Sequence, residues 1–195
     1  MPSDAPQLVL ASASPRRREL LEQLGLTFTI VVPDIDESTR PGEAPAPYVH
    51  RLAVEKAHAM PATSQQLVIA ADTTVDLGGR ILGKPADHAE AEAMLRSLSA
   101  RTHRVHTGVA LRLGDRTVSD VSTSLVTFAS LDETIIEWYL ATGEPFDKAG
   151  GYAIQGAGSV LVQRVRGSVS GIVGLPLHVV RRLASDLGVT LLGPS

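Results

Sequence analysis

Short apolar runs alternate along this chain with stretches whose apolar residues recur every three or four positions. Leu8–Ala11 is a short apolar strand, Pro15–Leu24 a helix stopped by Gly25, and Thr27–Val32 a second strand. Pro33–Ala46 is a polar, proline-bearing loop that carries Asp34, Asp36 and Glu37. Pro47–Met60 reads as a helix with Val49, Leu52, Ala53 and Met60 along one stripe. Leu67–Ala71 is apolar on both faces, a buried strand that the pattern ends at Asp72, and Val75–Leu82 follows as a hairpin turning at Gly78-Gly79. Asp87–Leu98 is an amphipathic helix, followed by two long strands, Arg101–Leu113 and Thr117–Phe128, joined at Gly114-Asp115. A helix over Asp132–Thr142, a strand over Ser159–Val165 and a helix over Pro176–Leu187 complete the series. No linker or repeat divides it. The pattern predicts an α/β fold with both parallel and antiparallel pairing, one unit over 1–195 with two lobes around a cleft.

Composition narrows the function classes. With 195 residues and 44% hydrophobic content the chain can bury a full core. A net charge of −3 and 4% aromatic residues argue against a nucleic-acid partner, which would call for a basic surplus and stacking surfaces. There are no cysteines, which excludes disulfides, thiolate catalysis and Cys-ligated zinc and fits a cytoplasmic protein. No apolar run approaches the roughly 18 residues of a membrane span, and the N-terminus lacks the basic-then-apolar pattern of a leader.

Candidate chemistry begins after the first strand, in Ser12-Ala13-Ser14-Pro15-Arg16-Arg17. Ser14 suits an N-cap and Pro15 the first helical position, so free backbone N–H groups and the positive helix end would lie beside Arg16 and Arg17 and favour phosphate. Lys56 falls on the apolar stripe of its helix, where it either snorkels or points a cation at a ligand. Asp72 closes a buried strand at the end where open α/β sheets bind ligands, with Thr73-Thr74 beside it. Gly78 to Lys84 matches a Walker A spacing but lacks the Ser or Thr and sits in a hairpin, which leaves Lys84 as a point charge for phosphate. Gly167-Ser168-Val169-Ser170-Gly171 has Val at the centre of a would-be nucleophile elbow, so a serine hydrolase is not expected. His103 and His106 fall on opposite faces of one strand and read as structural. The run Gly143 to Gly156 looks like a binding loop in which Asp147, Lys148, Tyr152 and Gln155 offer charge, an aromatic face and an amide.

Ser12-Ala13-Ser14-Pro15-Arg16-Arg17, Glu37, Glu55-Lys56-Ala57, Ala71-Asp72-Thr73, Gly83-Lys84-Pro85, Thr107-Gly108-Val109, Gly143-Glu144-Pro145, Asp147-Lys148-Ala149-Gly150, Ile154-Gln155-Gly156 and Gly174-Leu175-Pro176-Leu177 occur in one order over nearly the whole chain. Together they resemble the Maf family of nucleoside triphosphate pyrophosphatases. The resemblance implies a mixed elongated sheet flanked by helices, related to the inosine triphosphatase (Ham1) type, with two lobes around a deep cleft. It also implies a divalent metal and commonly a homodimer. Within the family the chain is similar to the branch acting on dTTP and UTP, whose specificity positions fall on Arg16, Thr73 and Gln155. One departure is Ser170-Gly171-Ile172, where many members carry Ser-Asn-Val, which leaves open any base contact from that loop.

These expectations give a reaction. Ser12, Ser14, Arg16, Arg17, Lys56 and Lys84 would hold the triphosphate, and Asp72 with Glu37 would hold Mg²⁺, with Mn²⁺ or Co²⁺ as alternatives. Asp72 would accept the proton of a water attacking the α-phosphorus, giving the monophosphate and pyrophosphate. The Gln155 amide would pair O4 and N3–H of thymine or uracil, with Arg16 or the Thr73 hydroxyl adding a donor. The alternatives are a pyrophosphatase for 7-methyl-GTP and a non-catalytic nucleotide-binding regulator of cell division.

Overall fold

The computed structural model describes residues 6–61 and 63–192; the extreme N-terminus, on which the reading about a leader partly rests, lies outside them. The elements are β1 (Gln7–Ala11), α1 (Pro15–Glu22), β2 (Phe28–Val31), α2 (Pro45–His58), β3 (Gln66–Leu77), β4 (Arg80–Leu82), α3 (His88–Leu98) and β5 (Thr102–Leu113). They continue with β6 (Arg116–Phe128), α4 (Glu133–Ala141), β7 (Val162–Arg166), α5 (Val169–Val173) and α6 (Leu177–Asp186). Short 3₁₀ turns cover Glu144–Asp147, Ala149–Gly151 and Gly156–Leu161.

Among the described residues seven strands join one mixed sheet in the order β2-β1-β3-β5-β6-β7, with β4 paired to β3. β1 runs parallel to β2 and β3, and the other pairs are antiparallel. β3 corrects the sequence reading: it does not end at Asp72 but runs twelve residues through it. The polar stretch stays in the sheet because β5 supplies an unbroken ladder from Leu67↔Leu113 to Asp76↔Arg104.

That strand passes through two cores. In its first half, Leu67, Ile69 and Ala71 pack with Val109 and Leu111 against α1 and α6, while Val68 and Ala70 pack with Ala110 against Ala53 and Ala57 of α2. In its second half Val75 joins Val105, Val126 and Phe128 beneath α3 and α4. Asp72, Thr73 and Thr74 lie where one core stops and the next begins. Their outer edge is also bare of strand partners, because β1 pairs only as far as Ala70 and β4 starts at Val75. A cleft between two lobes follows from these two interruptions, as the pattern predicted.

α2 sits unusually close to the sheet. Gly108 has no side chain to hold it off: a Cβ there would fall 2.2 Å from the Val49 carbonyl oxygen. The remaining differences from the sequence reading are local. α2 begins at Pro45 rather than Pro47, since proline at the first turn forfeits no helical hydrogen bond. Ser159–Leu161 belongs to a 3₁₀ turn, so β7 starts at Val162. α5, five residues capped by Ser168 Oγ on the Gly171 N–H, is too short for periodicity to reveal. Among the described residues no helix is long and apolar enough to cross a membrane.

Candidate active site

A cavity of about 560 Å³ opens along the bare edge of β3. Ser12, Ser14, Arg16, Arg17, Glu37, Lys56, Asp72, Thr73, Lys84 and Gln155 all line it, so the sheet brings together residues from six separated stretches of chain. Tyr48, Asp147, Lys148 and Gly174 complete the polar wall.

Lys56 and Asp72 form its floor. Lys56 neither snorkels to solvent nor stands free: it is 6% exposed, and its Nζ lies 2.7 Å from Asp72 Oδ1 and 2.8 Å from Glu37 Oε1. The small residues under α2 permit this depth, and two carboxylates around one ammonium compensate its burial. Glu37 is delivered by the loop before α2, which that helix staples down. The Tyr48 hydroxyl donates to the Glu37 carbonyl at 2.9 Å, and Arg51 donates to the Ser38 carbonyl at 3.0 Å. Arg51 also grips both oxygens of Glu43 at 2.6 Å and reaches Glu55 at 3.1 Å. The Arg51 guanidinium holds the Glu43 carboxyl down to about 2, while burial, with the charges of Asp72 and Glu37, pushes the Tyr48 hydroxyl up to about 12.

The two arginines at the start of α1 differ. Arg17 is buried and clamps three segments: its Nε donates to the Gly174 carbonyl at 2.8 Å, Nη1 to Ser12 Oγ at 3.0 Å and Nη2 to Thr73 Oγ1 at 3.1 Å. Burial lowers its pKa, against the pull of Asp72. Arg16 is half-buried beside the cavity, and its Nε is a buried donor with no partner among the described residues. Ser14 occupies the N-cap position, but its side chain caps nothing; its N–H instead donates to Ser12 Oγ at 3.2 Å. Lys84, on the turn after β4, is exposed and enters none of the ion pairs among the described residues. Gln155 is exposed at the cavity rim.

The opposite loop is only partly what its sequence promised. Burial pushes the Asp147 carboxyl up, but the Lys148 ammonium, with Arg16 behind it, more than reverses this and holds it below the usual carboxylate range. Tyr152 offers no free aromatic face: it is 5% exposed, its ring packs edgewise on Phe128 and His103, and its hydroxyl bonds His103 Nε2 at 2.7 Å. His106 instead meets Asp76 and Thr123, so the two histidines take separate structural partners. Sequence reasoning missed Tyr48 and Arg51, and it named Thr107 only within a family motif, without a role. For Arg51 the only signal was its four-residue spacing from Glu55, since the Glu43 contact spans a loop.

A cavity cut into a mixed α/β sheet and walled by Arg16, Arg17, Lys84 and Lys148 around Glu37, Asp72 and Asp147 has the charge pattern that suits a small polyanion. The chain belongs to the family described as Maf-like protein, whose model matches residues 7–187. It is 53% identical over 192 residues to the dTTP/UTP pyrophosphatase of Anaeromyxobacter dehalogenans (strain 2CP-C), covering 96% of this chain and 97% of that one. The dTTP/UTP pyrophosphatase of Myxococcus xanthus (strain DK1622) is likewise 53% identical over 192 residues, with 98% and 97% covered. The chain also superposes on a dITP/XTP pyrophosphatase from Mycobacterium abscessus at 15% identity, with 93% of this chain and 97% of that one covered. Its TM-score of 0.45 is too low to carry weight beside the sequence match.

Proposed function

We propose that this protein hydrolyses dTTP and UTP to the monophosphate and pyrophosphate. The observation that carries the reading is the meeting of Asp72 with Arg16, Arg17, Lys56 and Lys84 in one cavity, in a chain aligned over 96–98% of its length with relatives that bear that activity in their names. A nucleoside triphosphate brings about four negative charges, which Arg16, Lys84 and the first turn of α1, all lining the cavity, would hold. Ser12 and Arg17 serve the same wall. Lys56 positions Asp72 and Glu37 rather than gripping phosphate, because both carboxylates already occupy it.

Among the described residues no three His, Asp or Glu side chains form a metal cage. Mg²⁺ needs only one or two carboxylates together with phosphate and water oxygens, and Asp72 and Glu37, drawn to one ammonium, supply that donor set. Mn²⁺ and Co²⁺ accept the same oxygens. When bound, such an ion neutralises phosphate charge and lowers the pKa of a coordinated water. Asp72 would take a proton from the attacking water as that water's oxygen bonds to the α-phosphorus; the bond between the phosphorus and the bridging oxygen breaks, and pyrophosphate departs with the electron pair. Gln155 and Thr73 face the base, and Arg16 lies between base and phosphates.

We further read the whole chain as one domain, since β3 and β5 run through both lobes. A cytoplasmic homodimer completes the proposal: the lack of cysteines suits a reducing compartment, and the dimer is what the resemblance to the family implies. The test is a panel of nucleotides, 7-methyl-GTP included, assayed with Mg²⁺ for pyrophosphate and orthophosphate separately. Pyrophosphate from dTTP and UTP is expected. Orthophosphate as first product, or nucleotide binding without any product, overturns the reading.

A further inference from the structure

Thr73 Oγ1 and Thr107 Oγ1 are 3.0 Å apart, and that contact alone leaves either hydroxyl free to be the donor. The next link settles it. Thr107 Oγ1 lies 2.8 Å from the carbonyl oxygen of Gly171, in a buried contact, and a carbonyl only accepts. Its second lone pair is taken by the Gly174 N–H at 3.1 Å. Two oxygens so close without a hydrogen between them would repel, so the single hydrogen of Thr107 points at Gly171. Thr73 must therefore supply the hydrogen between the two threonines. From its other side, Arg17 Nη2 donates to Thr73 Oγ1 at 3.1 Å. The chain runs one way: Arg17 N–H to Thr73, Thr73 O–H to Thr107, Thr107 O–H to the Gly171 carbonyl. One lone pair is left on Thr73, beside the cavity.

We propose that Thr107, buried behind the cavity wall at 1% exposure, is a positioning residue that fixes Thr73 as a pure hydrogen-bond acceptor toward the substrate. An acceptor there matches the N3–H of uracil or thymine and repels the N3 lone pair of cytosine. This rests on the dTTP/UTP reading of the site, and it reverses the donor role that the sequence assigned to Thr73. Ser12 is the complement on the other side of Arg17. Its oxygen accepts from Arg17 Nη1 at 3.0 Å and from the Ser14 N–H at 3.2 Å, which leaves its hydrogen to donate. Arg17 thus separates a donating hydroxyl from an accepting one.

Thr107→Val removes the acceptor for the Thr73 hydrogen and frees it to turn into the cavity, whereas Thr107→Ser keeps the chain intact. The ratio of kcat/KM for UTP over CTP is expected to fall about tenfold in T107V and to stay at the wild-type value in T107S. An unchanged ratio in a T107V protein that melts like wild type overturns the proposal, as does a T107S protein altered as much as T107V. Neutron diffraction from a deuterated crystal of the wild-type chain without nucleotide tests the same point without activity. Deuterium carried by Thr73 and aimed at Thr107 is expected, and deuterium on Thr73 aimed into the cavity overturns the proposal even where T107V fails to fold. A wild-type chain that releases no pyrophosphate from UTP or dTTP defeats the functional reading instead, and the neutron map then decides the polarity by itself.

Discussion

The Lys56 ammonium and the Asp72 carboxylate lie 2.7 Å apart, both nearly closed to solvent at the bottom of a cleft, with Glu37 as the second carboxylate on Lys56 and the Arg17 guanidinium as a further positive charge near Asp72. Such a pair adds little net stability, because desolvation offsets most of the attraction, but removing one partner strands the other. Lys56→Met is expected to cost about 3–5 kcal/mol in urea unfolding. A loss below about 1 kcal/mol would mean that water reaches Asp72 freely.

Asp72→Asn separates chemistry from architecture. The amide oxygen still accepts from Lys56, so the fold should survive, while the proton acceptor is gone. Pyrophosphate release is expected to fall by about 10²–10⁴ with the melting curve little changed. Turnover near the wild-type rate would remove Asp72 from the reaction.

Neighbouring arginines should fail differently. The ammonium introduced by Arg17→Lys cannot span the Gly174 carbonyl, Ser12 and Thr73 at once, and the buried acceptors left behind should cost about 2–3 kcal/mol. Arg16→Lys disturbs no such clamp and should cost under about 1 kcal/mol while raising KM for the nucleotide. Denaturant midpoints and Michaelis constants of the two variants check this. An equal stability loss in both would show that Arg16 is also structural.

The succession of elements was legible because the longer strands, up to thirteen residues, and the helices of eight or more leave a readable period, while the short β2 and β4 are marked by the turns beside them. What misled was Asp72: a carboxylate after five apolar residues looks like a strand end, and only the β5 ladder, far along the chain, keeps it in the sheet. The cationic residues could be nominated one by one, but not their pairings. Lys56 as the centre of two carboxylates depends on a loop fastened by Arg51 and on the closeness of α2 at Gly108. Tyr152 was misjudged for a similar reason, since a glycine-rich run says nothing of the core that Phe128 and His103 build behind it.

His103 gives stability a pH dependence. Burial lowers its pKa to about 4 from an ordinary 6.5, and among the described residues its Nδ1 has no partner to receive a second N–H. Between those values the unfolded chain binds the extra proton, so this contribution is complete above about pH 6.5 and is lost as pH falls toward 4. It amounts to about 3 kcal/mol, of which roughly 2 disappears between pH 6.5 and 5. Glu43, held down to about 2, acts only in a lower window and leaves that interval clear. Urea midpoints measured from pH 7 to 5 should slope in the wild type and flatten in His103→Phe, whose plateau is lower because the Tyr152 hydroxyl loses its partner. A wild-type profile flat to pH 5 would place His103 in contact with water.

Gly108→Ala tests how the floor of the site is set. The added methyl would lie 2.2 Å from the Val49 carbonyl oxygen, 2.5 Å from its carbon and 2.8 Å from the His50 nitrogen. All three are helix backbone, which cannot rotate aside as a flexible side chain would, so α2 must lift as a body or the sheet must bend. Either shift draws Lys56 away from Asp72, because β5 pairs Gly108 directly with Asp72 while α2 carries the lysine. The expected cost exceeds about 3 kcal/mol, with pyrophosphate release falling alongside. Gly83→Ala is the control: Gly83 lines the cavity, but a methyl there meets nothing within 4 Å, and its stability should stay within about 0.5 kcal/mol of wild type. Urea midpoints of the two variants decide the matter, and a G108A protein as stable as G83A would show that α2 stands further from the sheet than the 2.2 Å approach requires.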